Sequence, residues 1–299
     1  MKAGRVFKRI AIGLGALVGS VLVLAGVAIG VLHTGWGGER LRSFVVPKIN
    51  ESIAGRIEVG QLAMHGVGVE LRDVTLSDPE GGVVARVGRV DAAAALGPLL
   101  SSDIDVTKVL IERPQIDLVQ TPRGLNLARA IAPREPKPAA EKPAASSEPT
   151  EMEIALRRLQ ISEGVVTYRD LRPGGLDPVR VEGLDVTAQG SLALPAQRFE
   201  GQLAIDARPR KPVDAPFALR FKGAGEGMVA DANLTVTLAD GRVAVRARSA
   251  SETAQTVFID TISVSPALVK AFVPTAPLRA KVALEGQVDR KGDDVKADL

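Results

Sequence analysis

The chain has 299 residues, 38 basic against 35 acidic for a formal net charge of +3, and no cysteine. The absence of thiols excludes disulfides and thiolate-metal chemistry. With aromatics at 3% and basic and acidic residues interleaved, stacking platforms and basic patches are scarce, so nucleic acid is not an expected partner.

Residues 1–9 form a basic tip carrying Lys2, Arg5, Lys8 and Arg9. Ile10 to Leu32, IAIGLGALVGSVLVLAGVAIGVL, then runs 23 residues without a charged side chain. At about 1.5 Å per residue a helix there reaches about 35 Å, enough to cross a bilayer core. The basic flank predicts a cytoplasmic N-terminus and a single span, with the bulk of the chain on the far side. Trp36 falls where an interfacial aromatic would sit. A cleaved signal peptide is the rival reading. Its apolar region is usually about 7–15 residues and ends in an A-x-A-like site, which VLHTGWG does not resemble. Gly15 with Gly19, and Gly26 with Gly30, have GxxxG spacing, which a glycine-rich composition explains as readily as a helix contact.

Residues 37–54 are expected to form an amphipathic helix at the membrane exit. Leu41, Phe44, Val45, Ile49 and Ile53 recur at three- or four-residue spacing, and Pro47 should kink or divide the helix. From residue 55 to 132 the period is two. Ile57 and Val59, then Val67, Val69 and Leu71, alternate with polar residues. At Arg72-Asp73 the phase slips, which calls for a β-bulge or a new strand. Ser77 to Gly82 reads as a turn, and Val83 to Ala94 continues the sheet. Leu96 to Leu100 reads as an edge cap. Ile104, Val106, Val109 and Ile111 form the next strand, with Ile116 and Leu118 in another after Pro114.

Residues 133–150, PREPKPAAEKPAASSEPT, hold five prolines among small and charged residues and read as a disordered linker. Alternation resumes over 151–299, from Ile154, Leu156, Leu159 and Ile161 through Val165 and Thr167, with further strands at Val179 to Val186, Phe199 to Ala207 and Phe217 to Phe221. Others follow at Met228 to Leu238, Arg242 to Arg248, Val257 to Ser263 and Leu278 to Val288. Their turn signals are those of antiparallel sheets. Ser265 to Phe272 reads as a short capped helix. The pattern stops mid-strand at Leu299, so a longer protein is expected.

Leu99-Leu100 followed by DIDVTKVLIERPQIDLVQTPRGLNL resembles the AsmA-like family, which includes TamB. The family pattern is a leucine pair, an alternating strand, a proline, a second strand and a Gly-x-Asn-Leu end. Pro114, Gly124, Asn126 and Leu127 occupy the matching places. LRRLQISEGVVTYRD is similar to the family's later strand-Gly-strand unit, with Gly164, Tyr168 and Asp170 in step. The resemblance covers about Arg5 to Ala188. It implies an inner-membrane anchor in a Gram-negative envelope, a periplasmic β-groove, and a role in lipid transfer or outer-membrane protein assembly.

The expected fold is therefore mostly β: a transmembrane helix, a short exit helix, and a long, curved, largely antiparallel sheet forming an open or taco-like groove. An ordinary closed sandwich fits the same alternation. Val67, Val69, Leu71, Ile104, Val106, Ile116 and Leu118 are the expected groove lining, with phospholipid acyl chains as ligand. No catalytic, cofactor or metal site is expected, and the chain is not expected to be an enzyme. His33 and His65 lack partners at metal-ligand spacing, and GAGEG at Gly223 to Gly227 reads as a turn. Two other roles stay open: a scaffold for outer-membrane protein assembly that binds strands by edge pairing, and an adaptor of a secretion or efflux system.

Overall fold

The computed structural model describes residues 38–65, 68–95, 103–134, 152–174, 178–211, 213–251, 254–272, 275–292 and 294–298. The apolar run Ile10 to Leu32 lies outside them, as do Val67, Leu96 to Leu100 and residues 135–150. Among the described residues no helix is long and apolar enough to cross a membrane.

The chain is mostly β. Helix α1 (Gly38–Ser52) leads into β1 (Arg56–His65), β2 (Gly68–Ser77), β3 (Val83–Ala94), β4 (Ile104–Glu112), β5 (Gln115–Thr121) and β6 (Gly124–Leu125). Helix α2 (Asn126–Ile131) and β7 (Met152–Asp170) follow. Then come β8 (Val179–Leu194), β9 (Arg198–Pro209), β10 (Phe217–Glu226), β11 (Val229–Leu238), β12 (Gly241–Ser251) and β13 (Ala254–Val264). Helix α3 (Pro266–Phe272), β14 (Val282–Lys291) and β15 (Asp294–Asp298) complete the order. The strands belong to one sheet. It is mixed rather than wholly antiparallel, because β5 and β7 pair in parallel. The chain divides into two compact units. The first holds Met1–Gly97, Val106–Pro149 and Ile161–Arg180; the second holds Pro98–Asp105, Thr150–Gln160 and Val181–Leu299.

In the first unit α1 is one helix with Pro47 inside it, not two. Its C-terminal end is stitched to β1 by Asn50. The Asn50 amide accepts from Ile57 N–H (2.6 Å) and donates to the Ile57 carbonyl (2.9 Å). The start of the expected linker is also held here, since Pro133 bridges Ile53 and Arg134 N–H donates to the Ser52 carbonyl (3.1 Å). Gly55 permits this junction, because a Cβ there would lie 2.4 Å from the Ser77 carbonyl oxygen and 2.7 Å from that of Ala130.

The phase slip at Arg72-Asp73 is neither a bulge nor a strand break. Register runs unbroken through it, with Val59 opposite Val74 and Gln61 opposite Arg72 on one side. On the other side Arg72 faces Arg89 and Val74 faces Val87. Asp73 instead takes φ +52°, flanked in register by Gly60 and Gly88. The same event recurs in line across the unit, at Arg113 (φ +51°) and Glu163 (φ +55°). At each site two successive residues leave the core, and the apolar set resumes on the other parity. Buried Val59 is followed by half-buried Leu62, Val87 by Val90, Ile111 by Pro114 and Ile161 by Val166. A left-handed residue turns an extended chain sharply, so a row of them makes a crease that keeps one face inward on both arms. Gly60 is required beside it, because its Cβ would meet the Asp73 Cβ at 2.9 Å.

The crease predicts different tolerances at one exposed position. Asp73→Val should cost roughly 1–2 kcal/mol, because a β-branched residue is strained at positive φ, whereas Asp73→Gly should leave the urea midpoint near that of the parent. Equal stability of the two variants would remove the crease as an explanation of the phase slip.

Candidate functional site

The second unit presents one apolar face built from strand alternation. The register places Val186, Ile205, Leu219, Val236, Val243, Ile262 and Leu284 in one row across seven strands. A second row runs Ala188, Leu203, Phe221, Leu234, Val245, Ile259 and Gly286. Most of these side chains are half-buried rather than buried. Larger ones are more open still: Leu192 is 38% exposed, Val257 37%, and Phe199 and Phe221 36% each. Both phenylalanines lie along glycines. Their rings stand where a Cβ on Gly225 or Gly223 would go, at 2.8 Å in each case. The rings therefore lie low on the sheet and give it a smooth aliphatic and aromatic floor.

The opposite face of these strands is charged. Arg220 pairs with Asp206 (2.7 Å), Arg248 with Asp231 (2.8 Å), and Arg246 with Asp260 (2.6 Å) while lying 5.1 Å from the Phe258 ring centroid. Exposed pairs of this kind contribute roughly 0–1 kcal/mol each. Their consequence is polarity: one face is wet and the other apolar. Helix α3 closes one turn here, with Ser265 Oγ accepting from Leu268 N–H (3.1 Å) and donating to Asp240 Oδ1 (2.9 Å).

The first unit carries the motif residues, and it brings them together. The parallel register sets Leu118 beside Tyr168 and Gln120 beside Asp170. Pro114, fully buried, accepts Val165 N–H at its carbonyl (2.8 Å) next to buried Gly164. Gly124 takes φ +113° in the turn after β5, where Thr121 Oγ1 donates to its carbonyl (3.1 Å). Asn126, 4% exposed, then does what a neighbouring strand would do for β5. Its Oδ1 accepts from Val119 N–H (2.9 Å) and from Leu127 N–H (2.8 Å), and its Nδ2 donates to the Asp117 carbonyl (2.7 Å). An amide carries donor and acceptor together, which neither a carboxylate nor an apolar side chain does. Leu127 is fully buried behind it, and Asp170 holds Arg172 in a two-pronged ion pair. These residues are the frame of the first unit. Helix α2, which starts at Asn126, is too short to show as a helical period in the sequence.

The expected lining residues divide by environment. Val69 is 3% exposed, in a row with Ala92 and Val109, and Leu71 sits half-buried beside Val90. Ile116 and Leu118 are 3% and 2% exposed; Ile116 joins the row of Ile57, Leu76 and Ala85, and Leu118 lies beside Tyr168. Val106 is half-buried opposite Ala94, and Ile104 is 45% exposed. Val67 is outside the described residues. Three of the set, Val69, Ile116 and Leu118, are thus buried in the first unit, while a half-exposed apolar surface belongs to β8–β14. His65 lies exposed at the end of β1. Among the described residues no group of three or more His, Asp or Glu is placed to hold a metal ion.

On the charged side of the first unit, Glu70 is buried to 7% exposure and joins Arg72 and Arg89, which in turn reaches Asp91 and Glu112. The hydrogen bond from Arg72, reinforced by that from Arg89, holds the Glu70 carboxyl below the usual carboxylate range against the opposing effect of burial.

A family model described as the AsmA family matches residues 10–215. No curated protein and no solved structure matches the chain.

Two outcomes follow from these frames. Asn126→Leu should lower stability by about 2–4 kcal/mol in urea unfolding, because it strands a partly buried N–H and a partly buried carbonyl on β5 and the buried Leu127 N–H. A neutral effect would show that β5 does not depend on the amide. Because the folded-state pKa of Glu70 is depressed, its contribution is complete above the ordinary value of 4.5 and is lost as pH falls through the lower folded value. Glu70→Gln should therefore flatten the loss of stability on acidification below about pH 4.5, measured by urea midpoints over that range, and an unchanged acid limb would refute the assignment.

Proposed function

The chain belongs to the AsmA family, and from that premise we propose that it is an inner-membrane-anchored envelope protein. Its apolar sheet face shelters or passes phospholipid acyl chains on the periplasmic side. The carrying observation is the pair of apolar rows across β8–β14, most of whose side chains stay half-exposed while the first unit buries much of its apolar set. Each methylene removed from water is worth roughly 0.8 kcal/mol. A dozen methylenes laid on such a floor therefore offset on the order of 10 kcal/mol of the cost of leaving a bilayer. A floor of Val, Leu, Ile, Phe and Gly offers no polar grip, which suits a ligand that slides. The uncharged run Ile10 to Leu32 supplies the anchor and the basic tip its orientation. The role is one of binding and not catalysis.

Photo-crosslinking distinguishes the two faces in the full chain. A photoreactive residue at Leu234, in the apolar row, should form phospholipid adducts in cells. One at Thr237, on the opposite face of the same strand, should give several-fold fewer. Protein adducts in place of lipid at Leu234 would overturn this reading in favour of an assembly scaffold, and equal labelling at both positions would overturn it outright.

A further inference from the structure

The face of β8–β11 that turns away from the apolar rows holds a second feature. Arg157, Arg158, Arg220 and Lys222 line a concavity of about 520 Å³, and no carboxylate lines it. Two of these cations are neutralised nearby, Arg157 by Asp105 (2.8 Å) and Arg220 by Asp206 (2.7 Å). The other two are not. Arg158 donates to the neutral Gln160 amide (2.7 Å), and Lys222 has no acidic partner among the described residues. The register places Gln189, Gln202, Lys222 and Asn233 in one row across four strands. Three amides, each with two N–H donors, thus flank an uncompensated ammonium.

We propose that this concavity binds a phosphate group. Several donors converging on a positively charged floor suit an oxyanion with several acceptor oxygens, and an arginine fork beside a lysine point charge is the usual pairing for phosphate. The volume is within the range of small-molecule sites and exceeds what a bare phosphate fills, so a phosphate carrying a glycerol or similar polyol fits. Alternation sends the Gln189, Gln202, Lys222 and Asn233 side chains to the face opposite those of Leu203 and Phe221, although Leu203 and Phe221 also border the concavity.

The test uses the purified full chain in a neutral detergent and phosphate-free buffer, titrated with inorganic phosphate and with glycerol 3-phosphate by calorimetry at constant ionic strength. Saturable binding is expected, weakened at least tenfold by Lys222→Glu and by Arg158→Glu, with circular dichroism unchanged. Where charge reversal disturbs the fold, Lys222→Gln serves instead and should weaken binding several-fold. Tighter binding of glycerol 3-phosphate identifies a head group as the source, and equal binding identifies free phosphate; both support the site. Absence of saturable binding, or equal affinity in parent and variants, overturns it. Crosslinking of phospholipid at Leu234 should be unaffected by Lys222→Glu, so failure of this site is distinguishable from failure of the apolar face.

Discussion

Every strand in this protein must keep its apolar residues on one side of a hydrogen-bonded ladder whose side chains alternate with period two. That constraint governs both units, and each meets it differently. In the first, the sheet creases along Gly60, Asp73, Gly88, Arg113 and Glu163, so that side chains on both arms enter one core. Val84, Val109, Ile111, Leu127 and Tyr168 reach essentially complete burial there. In the second, the strands repeat hairpin after hairpin without that degree of burial, and an apolar surface is left over.

The difference is energetic as well as geometric. A buried core has already gained its roughly 25 cal/mol per Å² of apolar surface removed from water, so it has little left to offer a ligand. A half-exposed face retains that free energy, and a ligand that covers it gains what folding did not. The apolar rows are kept soluble by what lies behind them, a face of Arg–Asp pairs worth little individually. The first unit supplies rigidity: Asn126 satisfies one edge of β5 while β7 satisfies the other.

Much of the fold was legible in the sequence, because alternation at Ile57 and Val59, at Phe217 to Phe221 and at Met228 to Leu238 is strong and local. The helix after Ser265 was legible from its cap. Others were not. In β7 the alternation suggested Val165 and Thr167 as the apolar set, yet Val166 and Tyr168 are the buried ones, because Glu163 shifts the phase. The signal existed as paired non-apolar residues, Gly60-Gln61, Arg72-Asp73, Gly88-Arg89, Glu112-Arg113 and Ser162-Glu163, in five segments. It shows only once the strands are aligned, which a linear reading does not do. Parallel pairing of β5 with β7 is invisible for the same reason, being a contact between segments 50 residues apart. The motif residues were found by resemblance, but their work as a frame rests on hydrogen bonds that spacing does not reveal. Opening of an apolar face depends on what covers it, which alternation alone cannot state.

The crease also acts as an index. These strands are written in a small alphabet of Val, Ala, Leu and Ile, and many mispairings would satisfy hydrophobicity almost as well as the native one. A strand displaced by one residue turns its apolar set to water. At the crease it also sets a side chain against Asp73 where Gly60 belongs. Misthreading is thus rejected twice, by solvation and by backbone shape. A sheet of nearly interchangeable strands acquires in this way an address that its composition lacks.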